Sequence, residues 1–94
     1  MLFRSDFDRT IGKALEFAAK DGETLIIVTA DHETGGFAIV GGDMKTGTVH
    51  GAFNSSDHTA VMVPVFAYGP GAENFTGIMD NTDIPKKIKS LLGL

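Results

Sequence analysis

The chain has 94 residues, 43% hydrophobic and 21% charged, with a formal net charge of −4 and an isoelectric point near 5.1. That length suits one small domain that buries only a modest part of its surface. The acidic balance and the lack of a basic patch exclude nucleic acid as a partner. The absence of cysteine excludes disulfides, thiolate metal sites and cysteine nucleophiles.

Ser5 is placed to cap a helix, with Asp6 and Asp8 in its first turn. Phe7, Ile11, Ala14, Leu15 and Ala18 follow at helical spacing. Lys20 suits the last turn and Gly22 the position just beyond it, so residues 6–20 read as an amphipathic helix. Leu25, Ile26, Ile27 and Val28 form a continuous apolar run with β-branched residues. Such a run fits a strand covered on both faces, as in parallel sheets. Residues 37–40 and 48–53 read as two strands of a hairpin around 41-GGDMKTG-47. Residues 63–69 read as another strand, with Pro64 at its start or on an edge. A loop over 70–81 leads to a last helix from about Thr82 to Leu92. Thr82 is its expected cap, Pro85 is tolerated in the first turn, and Ile84, Ile88, Leu91 and Leu92 share a face. The order predicts an α/β fold.

No apolar run approaches the roughly 20 residues of a membrane helix. The stretch MLFRSDFDRT lacks the apolar core of a signal peptide. The start at Met1, a few residues before the expected cap, suggests a piece of something longer.

In open α/β sheets, ligands gather beyond the carboxyl ends of strands. Asp31 and His32 stand there, and a carboxylate and an imidazole are both good zinc ligands. Gly35 and Gly36 give the backbone turning freedom. On the dipeptide alone, a turn-capping Asp31 and a packed His32 are the ordinary reading, because Asp-His is a common pair. His58, in 55-SSDHTA-60, is the second candidate; a solvated loop histidine is its ordinary alternative. His50 reads as a surface residue of the hairpin, and Glu33 as an exposed loop carboxylate rather than a general base. The 41–47 loop lacks the phosphate-loop pattern. Asn54 and Asn74 head glycosylation patterns, relevant only in a eukaryotic secretory setting.

The stretch 25-LIIVTADHETGGF-37 resembles the zinc-binding segment of alkaline phosphatases, where a strand ending in V-T-A-D-H-E-T-G-G delivers an Asp-His pair to the metal. Downstream, 58-HTAVMVPVFAYGPGAENFTGIMDNTDI-84 resembles the family's C-terminal stretch, where an H-T-[AG] histidine ligates zinc. The two motifs occur in the family's order. The resemblance covers essentially the whole chain.

What it implies is a phosphate monoester hydrolase with two zinc ions and one magnesium, working through a phosphoserine intermediate. Carried over by position, Asp31 and His32 match ligands of the zinc that activates the serine. His58 matches a ligand of the zinc that activates water. The D-S-A-[AGS]-type nucleophile motif is missing: none of Ser5, Ser55, Ser56 or Ser90 has that context, and neither Arg4 nor Arg9 matches the phosphate-clamping arginine. The remaining metal ligands, including those for magnesium, also belong upstream.

The resemblance therefore implies that residues 1–94 are a single partial domain. It would be the C-terminal portion of the family's mixed or parallel sheet, sandwiched by helices, with a β-hairpin insertion between the two metal-ligand loops. The expected chain is inactive alone and self-associates, while the whole enzyme is a homodimer in the periplasm or outside the cell. A sulfatase-like or phosphomutase-like member of the same superfamily, and a free-standing small α/β binding module without catalysis, are the alternatives.

Overall fold

The computed structural model describes residues 2–94, with side chains from Ser5 onward. The expectations attached to Met1 and to the side chain of Arg4 lie outside the described residues. The chain forms two compact units, one from the residues up to Thr29 together with Val65–Leu94, the other from Ala30–Pro64.

The first unit opens with helix α1, Leu2–Asp21. It is already formed at Leu2, so Ser5, Asp6 and Asp8 lie within it rather than at its mouth. Leucine and arginine upstream are good helix formers, and a cap-type residue does not stop a helix that its neighbours favour. Asp6 instead pairs with Arg9 at 3.7 Å, and its carbonyl accepts from the Thr10 hydroxyl at 2.8 Å. On the apolar face Ala18 is buried, Ile11, Ala14 and Leu15 are half-buried, and Phe7 stays exposed. The helix ends as expected: Gly22 takes a φ of 74° and its N–H donates to the Ala18 carbonyl at 2.9 Å. The Asp21 carboxylate then accepts from the Thr24 hydroxyl at 2.7 Å and the Glu23 N–H at 3.2 Å, turning the chain into the first strand.

That strand, β1, spans Ile26–Val28 and pairs antiparallel with β6, Phe66–Tyr68, through Ile26↔Tyr68 and Val28↔Phe66. The parallel pairing expected of β1 is thus replaced by an antiparallel one. A continuous apolar run reports that both faces meet apolar neighbours; it does not encode strand direction. Pro64 precedes β6 rather than entering it, so the ladder asks no N–H of it.

After β6 a short 3-10 helix, Ala72–Phe75, buries Phe75. Helix α2, Asp83–Leu91, follows. Thr82 stands at its N-cap but makes no side-chain capping bond. Asp83 instead ties the helix start to the preceding turn: its carboxylate accepts from the Asp80 N–H at 3.3 Å while its own N–H donates to the Asp80 carbonyl at 2.9 Å. Ile88, Leu91 and Leu92 line an open apolar groove of about 550 Å³ with Leu25, Ile27 and Pro70. Ala18 and Phe75 are the buried hydrophobic side chains among the described residues.

The second unit holds two antiparallel pairs. Strands β3, Ala38–Asp43, and β4, Thr48–Ala52, make the hairpin. Residues 41–43, expected in the loop, extend β3; an extra residue at Val40 bulges the ladder between Ile39↔Gly51 and Gly41↔His50. The tighter turn is held by the Lys45 N–H on the Asp43 carboxylate at 2.8 Å. Strands β2, Glu33–Thr34, and β5, His58–Thr59, form a ladder of two residue pairs, Glu33↔Thr59 and Thr34↔His58. Helices and strands together make an α/β chain, although all three strand pairings among the described residues are antiparallel.

Candidate metal centre

The β2–β5 ladder brings the two histidine segments side by side. The rings of His32 and His58 stack with centroids 3.5 Å apart and planes 22° apart. His32 is half-buried; His58 is exposed. Asp31 is open to solvent, and its Oδ2 lies 3.6 Å from Nε2 of His32. All three residues expected to ligate metal therefore lie in one small region. His50 is elsewhere, exposed on β4 opposite Gly41.

The hydrogen bonds orient His32. Its Nδ1 lies 3.2 Å from the Glu33 carbonyl oxygen, which can only accept, so the contact is a hydrogen bond when Nδ1 bears a proton; in the neutral tautomer that makes it, Nε2 presents its lone pair. The Thr34 hydroxyl sits on the same side, 3.4 Å from Nδ1. In that neutral tautomer, then, two acceptors, Nε2 and Oδ2 of Asp31, face each other. A proton on Nε2 or a metal cation between them resolves that arrangement. Two ligands on one tetrahedral zinc stand roughly 3.3 Å apart, given bonds of about 2.0–2.1 Å. The 3.6 Å spacing is close to that, so the donor set fits zinc. His58 cannot share the same ion easily. Imidazole lone pairs lie in the ring plane, and these planes are nearly parallel and separated by the stack. In keeping with this, no group of three or more His, Asp or Glu side chains among the described residues is set to hold one ion.

Glu33 is not the free loop carboxylate expected. It accepts from the Gly36 N–H at 2.9 and 3.0 Å through its two oxygens and from the Thr59 hydroxyl. The Thr59 bond, aided by the backbone N–H groups of Gly36, Phe37 and Thr34, holds its carboxyl below the usual glutamate range against an opposing desolvation effect. Glu33 and Thr59 are what residue-by-residue reading missed, because only the pairing of β2 with β5 brings them together. Gly35 is buried with a φ of 82°; its N–H donates to the Asp57 carbonyl at 2.9 Å, and its carbonyl accepts from Asn54 and Ser55 N–H groups. A Cβ there would meet the Phe53 ring at 2.5 Å, so glycine is required on both counts. On the His58 side, the Asp57 carboxylate accepts the His58 N–H at 2.7 Å, and Ser55 Oγ accepts the Asp57 N–H at 3.0 Å.

The alkaline phosphatase family model matches residues 3–52 and 46–94. The chain belongs to the alkaline phosphatase family. It is 39% identical over 106 residues to an alkaline phosphatase of Escherichia fergusonii, covering 95% of this chain and 22% of that protein. Identity to the Escherichia coli K12 enzyme is 38% with the same coverage. A streptomycin-6-phosphate phosphatase of Streptomyces griseus is 35% identical over 94% of this chain and 23% of that protein. Among solved structures, the alkaline phosphatase from the Antarctic bacterium TAB5 superposes with a TM-score of 0.80 at 48% identity, covering 90% of this chain and 26% of that one. A variant of the TAB5 enzyme with magnesium bound in its M3 site superposes with a TM-score of 0.79. These neighbours bear out the α/β class. The alkaline phosphatase chain described here spans under a quarter of the length of the curated relatives it matches first. No described helix is long and apolar enough to cross a membrane.

Proposed function

We propose that this chain is part of a metal-dependent phosphomonoesterase and delivers Asp31 and His32 to one zinc ion and His58 to a second. The observation that carries the reading is the 3.6 Å approach of Asp31 Oδ2 to His32 Nε2 beside the stacked ring of His58. The stack supports the division between two ions, because near-parallel rings 3.5 Å apart match the roughly 3.5–4 Å separation of paired catalytic metals. Paired divalent ions supply electrostatic stabilisation for an in-line displacement at phosphorus. The chain's own part is to position ligands. The Glu33 carbonyl accepts from His32 Nδ1 when that nitrogen bears a proton, the Asp57 carboxylate holds the backbone N–H of His58, and Asp31 provides the negative charge.

The substrate class is phosphate monoesters, and the whole protein is a homodimer exported to the periplasm or beyond the cell. The present chain is inactive by itself, since no serine has the family's nucleophile context and the magnesium ligands belong to other segments. Exposed Phe37, Ile39, Val40, Val49 and Phe53 on and beside the hairpin drive copies of this chain together.

Competition for zinc against a chromophoric chelator tests the ligand division. Replacing Asp31 and His32 by Ala weakens one class of site by about tenfold or more, the scale on which even indirect partners act. His58→Ala leaves that class unchanged. Equal losses from both replacements would mean one shared ion and overturn the division. Zinc-dependent hydrolysis of p-nitrophenyl phosphate by a preparation free of host phosphatase would overturn the inactivity.

A further inference from the structure

We propose that Glu33 and Thr59 are positioning residues that lock the register of β2 against β5 and so keep His32 and His58 on one face. Side chains along a strand alternate between faces. Glu33 and Thr59 are directly paired, and Thr34 and His58 form the next pair, so the two pairs project to opposite sides. His32, one residue before Glu33, falls on the side of Thr34 and His58, where its ring stacks on that of His58. The Glu33 carboxylate and the Thr59 hydroxyl are bonded on the other side.

The ladder has only two residue pairs. Backbone bonds alone specify so short a pairing weakly, and a slip of one residue reverses every side chain. A slip would turn His58 away from His32. The Glu33–Thr59 bond resists this, because the carboxylate is itself anchored by the Gly36 N–H at 2.9 and 3.0 Å and cannot follow Thr59 to a new register. It is also charge-assisted, which roughly doubles the strength of a neutral bond. Glu33 thereby touches both ligand segments: its carbonyl orients His32 and its side chain holds the residue after His58.

The positioning of ligands rests on the zinc reading above; the register lock does not. Two readouts separate them. The first is the upfield ring-current shift of the His32 and His58 ring protons in NMR spectra of the metal-free chain. The second is zinc affinity. Thr59→Val, which keeps the shape and removes the hydroxyl, abolishes the upfield shift and weakens zinc binding by about 10–100-fold. Thr59→Ser restores both. Glu33→Gln keeps one acceptor oxygen and is a second probe, with partial loss of both signals. Signals of the β3–β4 hairpin stay in place in every variant, which distinguishes a slipped ladder from an unfolded unit. A Thr59→Val chain that keeps the stacking shift would overturn the proposal. So would an unsubstituted chain that lacks the shift, or a Thr59→Ser chain no better than Thr59→Val. Loss of the shift in Thr59→Val, with no zinc bound by any variant, would sustain the lock and sink the metal assignment instead.

Discussion

The ammonium group of Lys87 donates to the carbonyl oxygen of Asn74 across 2.6 Å, fastening α2 to the turn that carries Phe75. Phe75 is 4% exposed and, with Ala18, is one of the two buried hydrophobic side chains among the described residues. A core this small leaves little reserve. Phe75→Ala is expected to cost about 3–5 kcal/mol, comparable to the whole stability of a small domain. Lys87→Met, which retains the stem, removes one charge-assisted bond and costs about 1.5–3 kcal/mol at most. Denaturant titrations followed at α2 amides would check the ranking; a Phe75→Ala chain as stable as the parent would contradict it.

Gly35 ties the end of β2 to the 54–57 segment through its backbone bonds. Its φ of 82° is strained for any L side chain, and the Phe53 ring already fills the space a Cβ would take. Gly35→Ala should destabilise the second unit by about 1–3 kcal/mol from backbone strain, with the clash in addition. Hydrogen exchange at the Asn54 and Ser55 amides, which bond the Gly35 carbonyl, should accelerate. Unchanged protection there would show that the loop accommodates the methyl group.

The pH dependence of α2 follows from Asp83. The bond from Lys86 at 3.2 Å, aided by the Asp80 N–H and the positive charges of Lys86 and Lys87, lowers its pKa below the ordinary 3.8 despite some desolvation. A depressed carboxyl pKa contributes stability that is fully present above the unfolded value. That contribution fades as pH falls through the folded value. The helix should therefore keep its full N-terminal support down to about pH 4 and lose it below 3.8. Asp83→Asn should flatten this acid limb. Helical ellipticity or α2 chemical shifts against pH would measure it, and an identical acid limb in the Asn variant would refute the assignment.

Self-association should be readable in the hairpin. Ile39 is 70% exposed, Val40 68% and Val49 62%, on a two-stranded ribbon with open edges. Light scattering of the purified chain should show species larger than a monomer. Ile39→Lys with Val49→Lys should shift the distribution towards monomer by placing charge on the ribbon. A parent chain that is monomeric at dilute concentration would end this line.

Much of the chain was legible in its residues because local chemistry decides it. The helical spacing of Ile11, Leu15 and Ala18, the glycine after α1, the hairpin and α2 all follow from periodicity and turn preferences, which act within a few residues. The motifs around Asp31, His32 and His58 pointed to the family for the same reason, being contiguous. The start of α1 was misplaced because Ser5 is a permissive signal that good helix formers upstream override. The tertiary structure alone decided what depends on distant segments meeting. It chose the antiparallel partner of β1, since an apolar run does not encode the direction of its neighbour. It also created the ladder of β2 with β5. Two residues per strand are too few to show any period, so neither the His32–His58 stack nor the Glu33–Thr59 bond behind it leaves a trace in the sequence; both exist because the chain closes a loop and brings the segments together.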